Sequence, residues 1–169
     1  MSRLNVDQIY TRTGTGSPAI REMPAFRAVQ STIQNSVQAG AVLAADTSLF
    51  DTNSYYDETN YRYLPLIPGY YWFRGHAVLQ QSGTVTFQQI ALRKNPTDAT
   101  FDTAFSRNVL RQTVASNYYI ETCGIVYMNG STDFVDVYIN GSATTNLYTL
   151  YPTNPDVTGC FEGFLVRPD

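Results

Sequence analysis

At 169 residues the chain has the length of one domain, which typically runs to roughly 100–200 residues, and its 13 Tyr, 9 Phe and 15% charged residues favour sheet over helix. A formal net charge of −3, a single lysine (Lys94) and scattered arginines exclude the clustered cations that a nucleic-acid backbone requires. No apolar run nears the roughly 20 residues of a membrane-crossing helix, so no membrane partner is expected.

Residues 1–23 read as an extended N-terminal arm. They are polar, and the glycines and proline of Thr13-Gly14-Thr15-Gly16-Ser17-Pro18 break any helix or central strand. Leu4, Val6 and Ile9 are its apolar anchors, too few for a core of its own, so with Tyr10 they are the candidates for attachment to another surface. The Gly-x-Gly is no phosphate loop, because no strand precedes it and no helix pattern follows. The first residues lack the apolar segment of a secretory signal, so the expectation is cytoplasmic synthesis with Cys123 and Cys160 as free, buried thiols.

From Pro24 to the end, residues 24–169 read as one domain of successive strands. Residues 25–29 alternate, and residues 39–50 carry small and aliphatic side chains. Residues 51–60 form a loop rich in Asp, Asn, Ser and Thr, and residues 30–38 lack a convincing helical period. Pro68-Gly69 predicts a turn, followed by a strand over residues 70–80. Tyr71, Phe73, Gly75, Ala77 and Leu79 line one of its faces; Trp72, Arg74, His76 and Val78 line the other. Ser82-Gly83 leads into residues 84–92, where glutamines suggest a wet face. Strands are expected at 103–115 and 118–128, then at 131–139, bracketed by the hairpin-turn dipeptides Asn129-Gly130 and Asn140-Gly141. Short strands with turn signals every eight to twelve residues define a β-sandwich or barrel.

Catalytic chemistry finds little footing. His76 is the only histidine and there is no Gly-x-Ser-x-Gly elbow, so no triad assembles and no enzyme is expected. One histidine and two distant cysteines lack zinc spacing. Asp46, Asp51, Asp57 and Glu58 surround one loop region, but without calcium-loop spacing they read as a solvated acidic loop, and neither metal nor cofactor is expected. Tyr55, Tyr56, Tyr61 and Tyr63 cluster beside that loop. They are either a surface for stacking on a sugar or anchoring a protein, or cover for the sandwich edge or a neighbouring subunit.

Several motifs, in this order, resemble the complement globular-head branch of the tumour-necrosis-factor jelly-roll superfamily. They are Pro24-Ala25-Phe26-Arg27-Ala28, Phe50-Asp51-Thr52, Pro68-Gly69-Tyr70-Tyr71-Trp72-Phe73, the alternating strand 131–139, and Phe161-Glu162-Gly163-Phe164-Leu165 with Pro168 close behind. The resemblance implies an all-β jelly-roll sandwich of about ten antiparallel strands and a homotrimer. Residues 70–80 and 160–167 would then share the sheet at the trimer interface, with Tyr70, Trp72, Arg74, His76, Phe164 and Val166 as candidates. It also implies that the strand after Pro68 separates the two cysteines, keeping them beyond disulfide reach. The family's collagen-like stalk is missing. Instead, Val6-Asp7-Gln8-Ile9-Tyr10 and Arg12-Thr13-Gly14-Thr15-Gly16-Ser17-Pro18 resemble segments near the start of tailed-bacteriophage structural proteins. The expected function is therefore a non-enzymatic protein of the phage virion surface that decorates the capsid by contact with the major capsid protein. The alternatives are the receptor-binding head of a tail fibre, or a soluble head that binds a ligand such as a host surface glycan.

Overall fold

The computed structural model describes residues 23–37, 40–81, 85–111, 118–143, 147–149 and 159–169, so the arm, with Leu4, Val6, Ile9 and Tyr10, lies outside the described residues. In chain order the strands are β1 (Ala25–Val29), β2 (Ala41–Val42), β3 (Thr47–Asp51), β4 (Tyr56–Asp57), β5 (Arg62–Tyr63), β6 (Gly69–Gln81), β7 (Val85–Lys94), β8 (Ala104–Leu110), β9 (Tyr118–Met128), β10 (Val135–Ala143), β11 (Leu147–Thr149) and β12 (Cys160–Pro168). They form two antiparallel six-stranded sheets packed face to face. The first runs β11-β6-β12-β1-β3, with β9 on the other edge of β6; the second runs β4-β5-β10-β7-β8, with β2 beside β10. This is the expected all-β sandwich, with twelve strands among the described residues rather than about ten, because short pairings at β2, β4, β5 and β11 add to the long strands.

Alternation in β6 sets the core. Tyr71, Phe73, Ala77 and Leu79 point inward and are wholly buried, and they meet Ile90, Leu92, Val135, Val137 and Ile139 from the second sheet. The aliphatic side chains larger than alanine and the Phe73 ring each contribute about 1.5–3 kcal/mol when fully buried. At the centre the Phe26 ring stacks on Tyr63 at 4.1 Å and meets Phe161 edge-on at 4.9 Å. Glycine lets backbone come close at two places here. A Cβ on Gly75 would sit 2.7 Å from Val137 Cγ2, and one on Gly163 would sit 2.5 Å from Phe73 Cδ1.

The outward face of the second sheet is covered by the chain itself. Arg93, 2% exposed, makes a bidentate pair with the Asp136 carboxylate at 2.9 and 2.6 Å. Its remaining terminal nitrogen donates to the carbonyls of Asp98 and Thr100, and its guanidinium lies 3.8 Å from the centre of the Tyr138 ring. The Tyr138 hydroxyl donates to the Ala99 carbonyl, and Phe101 packs edge-on against the Tyr138 ring. Residues 95–103 are thereby strapped over the sheet. The wet face expected for residues 84–92 is consequently reduced: Ala91, on the same side as Arg93, is buried, while Gln88 is buried because its alternation with Ile90 and Leu92 turns it inward.

The outer edge of β9 is closed without a further strand. Lys94 Nζ donates to the Tyr127 carbonyl, Ser106 Oγ to that of Cys123, and Asn108 Nδ2 to that of Glu121. Such masking of an edge is one way that sheets avoid unwanted pairing.

Four local expectations need correction. Asn129-Gly130 does turn: Gly130 has φ +70°, and the Asn129 side-chain oxygen accepts from the amides of Ser131, Thr132 and Asp133. It is no hairpin, however, because β9 and β10 lie in different sheets and the turn arches between them. Asn140-Gly141 is not a turn at all. It lies inside β10, paired with Gln89 and Gln88, because the long register with β7 outweighs the local preference. The Pro68-Gly69 turn is displaced upstream; Leu66 and Ile67 bend, and Gly69 already begins β6. Finally, Cys160 is buried but Cys123 is exposed, since alternation in β9 turns position 123 outward. Both are free, and β6 does lie between their strands.

Arg93→Ala should destabilise the protein by about 3–5 kcal/mol, because Asp136 would stay buried without its partner. Urea denaturation measures the loss, and limited proteolysis should newly cut within residues 95–103. An unchanged urea midpoint would show that the pair does not hold the strap.

Candidate functional site

The outward face of the first sheet gathers the candidate interface residues. Strand pairing sets Ile125, Trp72, Phe164 and Ala25 side by side across β9, β6, β12 and β1. Toward one end stand Tyr70, Tyr127 and Val166. Toward the other runs a row of Cys123, Arg74, Glu162, Arg27 and Phe50 across the same strands and β3. All six residues named from the sequence lie here. Tyr70, Phe164 and Val166 are 44–45% exposed, and Trp72 is half-buried with its ring 5.2 Å from that of Phe164. A contiguous group of large apolar side chains left open on one face is the mark of a surface that meets another macromolecule.

Ile125, 58% exposed, is the most open large side chain on this face, and sequence reasoning missed it. The available signal was the alternation of Tyr119, Glu121, Cys123, Ile125 and Tyr127 along β9, which puts all five on the same side of the sheet as Trp72.

The polar half of the face is satisfied within the chain. Arg74 donates to Glu121 Oε2 from Nε at 3.0 Å and Nη2 at 2.7 Å, to Glu162 Oε1 from Nη1 at 3.0 Å, and to the Tyr119 hydroxyl at 2.6 Å. Arg27 Nε lies 3.6 Å from Glu162 Oε2. Two cations and two anions thus cancel. His76 differs from the other five candidates in being enclosed already, at 4% exposed, with the Tyr119 ring 5.2 Å away. Burial, then the Arg74 charge, pushes its pKa down to about 4; Glu162 and Glu121 oppose this, and Arg27 adds to it. Opposite it, burial and Glu162 push the Cys160 thiol up to about 11. The pair is therefore a neutral thiol and a neutral imidazole near neutral pH, without the thiolate a cysteine nucleophile needs.

The tyrosine cluster resolves mostly into core. Tyr63 is wholly buried in the aromatic centre, so it offers no ligand a surface. Tyr56 is half-buried, packs against Phe26 and donates its hydroxyl to the Ala45 carbonyl; Tyr55 packs partly buried against the same core. Tyr61 is half-buried beside them at φ +56°. Of the two readings open in the sequence, covering the sandwich is the one these positions fit. The acidic side chains are each tied to separate donors. Asp46 accepts from Ser31, Asp51 from the amides of Asn53 and Tyr56, Asp57 from Thr59, Asn60 and Arg62, and Glu58 from the Ser48 amide. Among the described residues no group of three His, Cys, Asp or Glu side chains is arranged to hold a metal ion.

No protein-family model and no curated protein matches the chain. Solved structures do. The globular domain of zebrafish complement 1qA protein superposes with a TM-score of 0.62 at 15% identity, covering 88% of this chain and 100% of that one. Murine APRIL at pH 5.0 gives 0.60 at 13% identity, covering 85% and 98%, and the Eiger TNF of S. frugiperda gives 0.56 at 10%, covering 87% and 93%. The fold is therefore the jelly roll shared by complement globular heads and tumour-necrosis-factor-like proteins, as the sequence motifs imply.

A depressed histidine pKa has a definite sign. Between the ordinary value of about 6.5 and about 4, the unfolded chain binds a proton at His76 that the folded chain does not. Stability should therefore fall as pH is lowered through that window, by up to about 3 kcal/mol at its lower end. Urea midpoints measured from pH 7 to 4 should decline less steeply for His76→Gln than for the native chain. Identical slopes would place His76 in a more solvated setting.

Proposed function

We propose that the chain assembles as a homotrimer through the outward face of its first sheet and serves as a non-enzymatic surface protein of a tailed-phage virion, decorating the capsid. The observation that carries the assembly is the open row of Ile125, Trp72 and Phe164, flanked by Tyr70 and Val166, on the sheet for which the family resemblance implies a threefold interface. Burying such side chains yields about 25 cal/mol per Å² of apolar surface, while the ion pairs beside them, already neutralised in the protomer, add little unpaired charge to desolvate.

The role on the particle is supported by the arm. Its two stretches resembling phage structural proteins precede a jelly roll whose described strands begin at Ala25. Leu4, Val6 and Ile9, with Tyr10, supply the apolar contacts, and Gly14 and Gly16 free the chain to leave the jelly roll. Three arms on one trimer bind with an avidity well above that of a single arm, because each engaged arm raises the effective concentration of the next. The protein is made in the host cytoplasm, and its partner on the particle is the major capsid protein.

Sedimentation equilibrium at micromolar concentration should give the mass of a trimer, and Trp72→Asp should dissociate it by burying an unpaired charge. A chain beginning at Pro24 should fold and trimerise but lose binding to DNA-filled heads. A monomeric native chain would sink the assembly. Full decoration by the truncated trimer would move attachment onto the jelly roll, whereas binding to glycans without binding to heads would make the protein a receptor-binding or ligand-binding head instead.

A further inference from the structure

The core is left open at the end of the sandwich where the arm joins it. Met23, Pro24, Ile67, Leu165 and Pro168 line a hollow of about 190 Å³ there. Leu165 belongs to the core and Ile67 packs against it, so the hollow opens on the core itself. Hydrogen bonds hold its walls in place. The Leu165 amide donates to the Pro24 carbonyl at 2.9 Å, the Asp169 amide to that of Pro68 at 3.1 Å, and the Tyr71 hydroxyl to that of Ile67 at 2.8 Å. All five lining side chains are apolar, whereas a settled water molecule needs two to four polar partners. An apolar cavity of roughly 150 Å³ admits a molecule as large as benzene, so this hollow has room for a branched aliphatic side chain.

We propose that Ile20 of the same chain seats in this hollow and closes the core. Residues 18–22 lie outside the described residues, and they run directly into Met23, which is itself one wall. Between the breaker at residues 13–18 and Met23, Ile20 is the only large aliphatic residue in the sequence. Three peptide units separate it from Met23, a span of at most about 11 Å, so the rim is within its reach. Leu4, Val6 and Ile9 stand much farther along the chain, and closing a longer loop costs more entropy. The arm then has two parts. Ile20 belongs to the jelly roll, and the residues before the breaker are left for another surface. This seat is independent of what that surface is, and it moves the root of the tether from Met23 back to the glycines.

Two measurements on the full-length chain test the seat. In urea denaturation, Ile20→Asp should lower the midpoint, Ile20→Val should keep most of the native value, and Ile9→Asp, in the outer part of the arm, should leave it unchanged. A chain beginning at Pro24 should fold with a midpoint lowered as in Ile20→Asp. Disulfide trapping then locates the contact. In a Cys123→Ser background, Ile20→Cys with Ile67→Cys should oxidise within one chain, leaving Cys160 as the single thiol that titrates after denaturation. Ile20→Cys with Pro168→Cys provides a second pair should the first disturb folding. Val166→Cys is the control, since position 166 is as near along β12 but exposed on the other side of the sheet. It should not link to position 20. An unchanged midpoint for Ile20→Asp, a link from neither pair, equal linking to position 166, or a disulfide that joins two chains would each overturn the seat.

Discussion

β6 meets protein on three of the four sides that it presents. Its two edges are hydrogen-bonded, to β9 along one and to β12 and β11 along the other, and its inward face is buried against the second sheet. That leaves only the outward face, and there the alternation that serves the core places Tyr70, Trp72, Arg74 and His76 in succession. A strand with one solvated face would carry polar side chains at those positions. The inward set cannot shift to relieve the outward one, since a slip of one residue would exchange the two faces. The glycines hold the register tight: Gly75 admits Val137, and Gly163 admits the Phe73 ring. Core packing and the character of the candidate interface thus follow from one periodicity.

The two outward faces of the sandwich are completed in different ways. On the second sheet the buried Arg93–Asp136 pair gathers backbone carbonyls from residues 95–103 and draws that segment across the surface, so the covering is supplied by the same chain. Burial holds the Asp136 carboxyl above its ordinary pKa, and the arginine works against that rise. On the first sheet the described residues provide no corresponding cover, and its large side chains remain open.

Much of this was legible before the structure. Alternation over residues 70–80 identified the core side of β6 and grouped Trp72, Arg74 and His76 on the other, and the order of short aromatic motifs pointed to the jelly roll. What escaped was set by partners distant in sequence. Asn129-Gly130 and Asn140-Gly141 are the same dipeptide, yet the first arches between sheets while the second runs straight through β10, since only the second has β7 beside it to satisfy its backbone. For Tyr63 the sequence leaves an exposed surface and cover for the sandwich both open, and its place in the core depends on Phe26, some forty residues earlier, stacking upon it. Ile125 required knowing that β9 lies next to β6. Local patterns carry facing and periodicity; adjacency must be supplied by the fold.

The side-chain caps along β9 bear on how many copies can crowd together. Carbonyls on an open edge are the template from which one sheet extends into the next molecule, and growth of that kind has no natural end. Here Lys94, Ser106 and Asn108 occupy three of those carbonyls with donors that cannot propagate a ladder. Extension of the sheet into a neighbouring molecule at this edge is thereby opposed. Molecules packed at high density can then form a finite assembly without seeding a fibre.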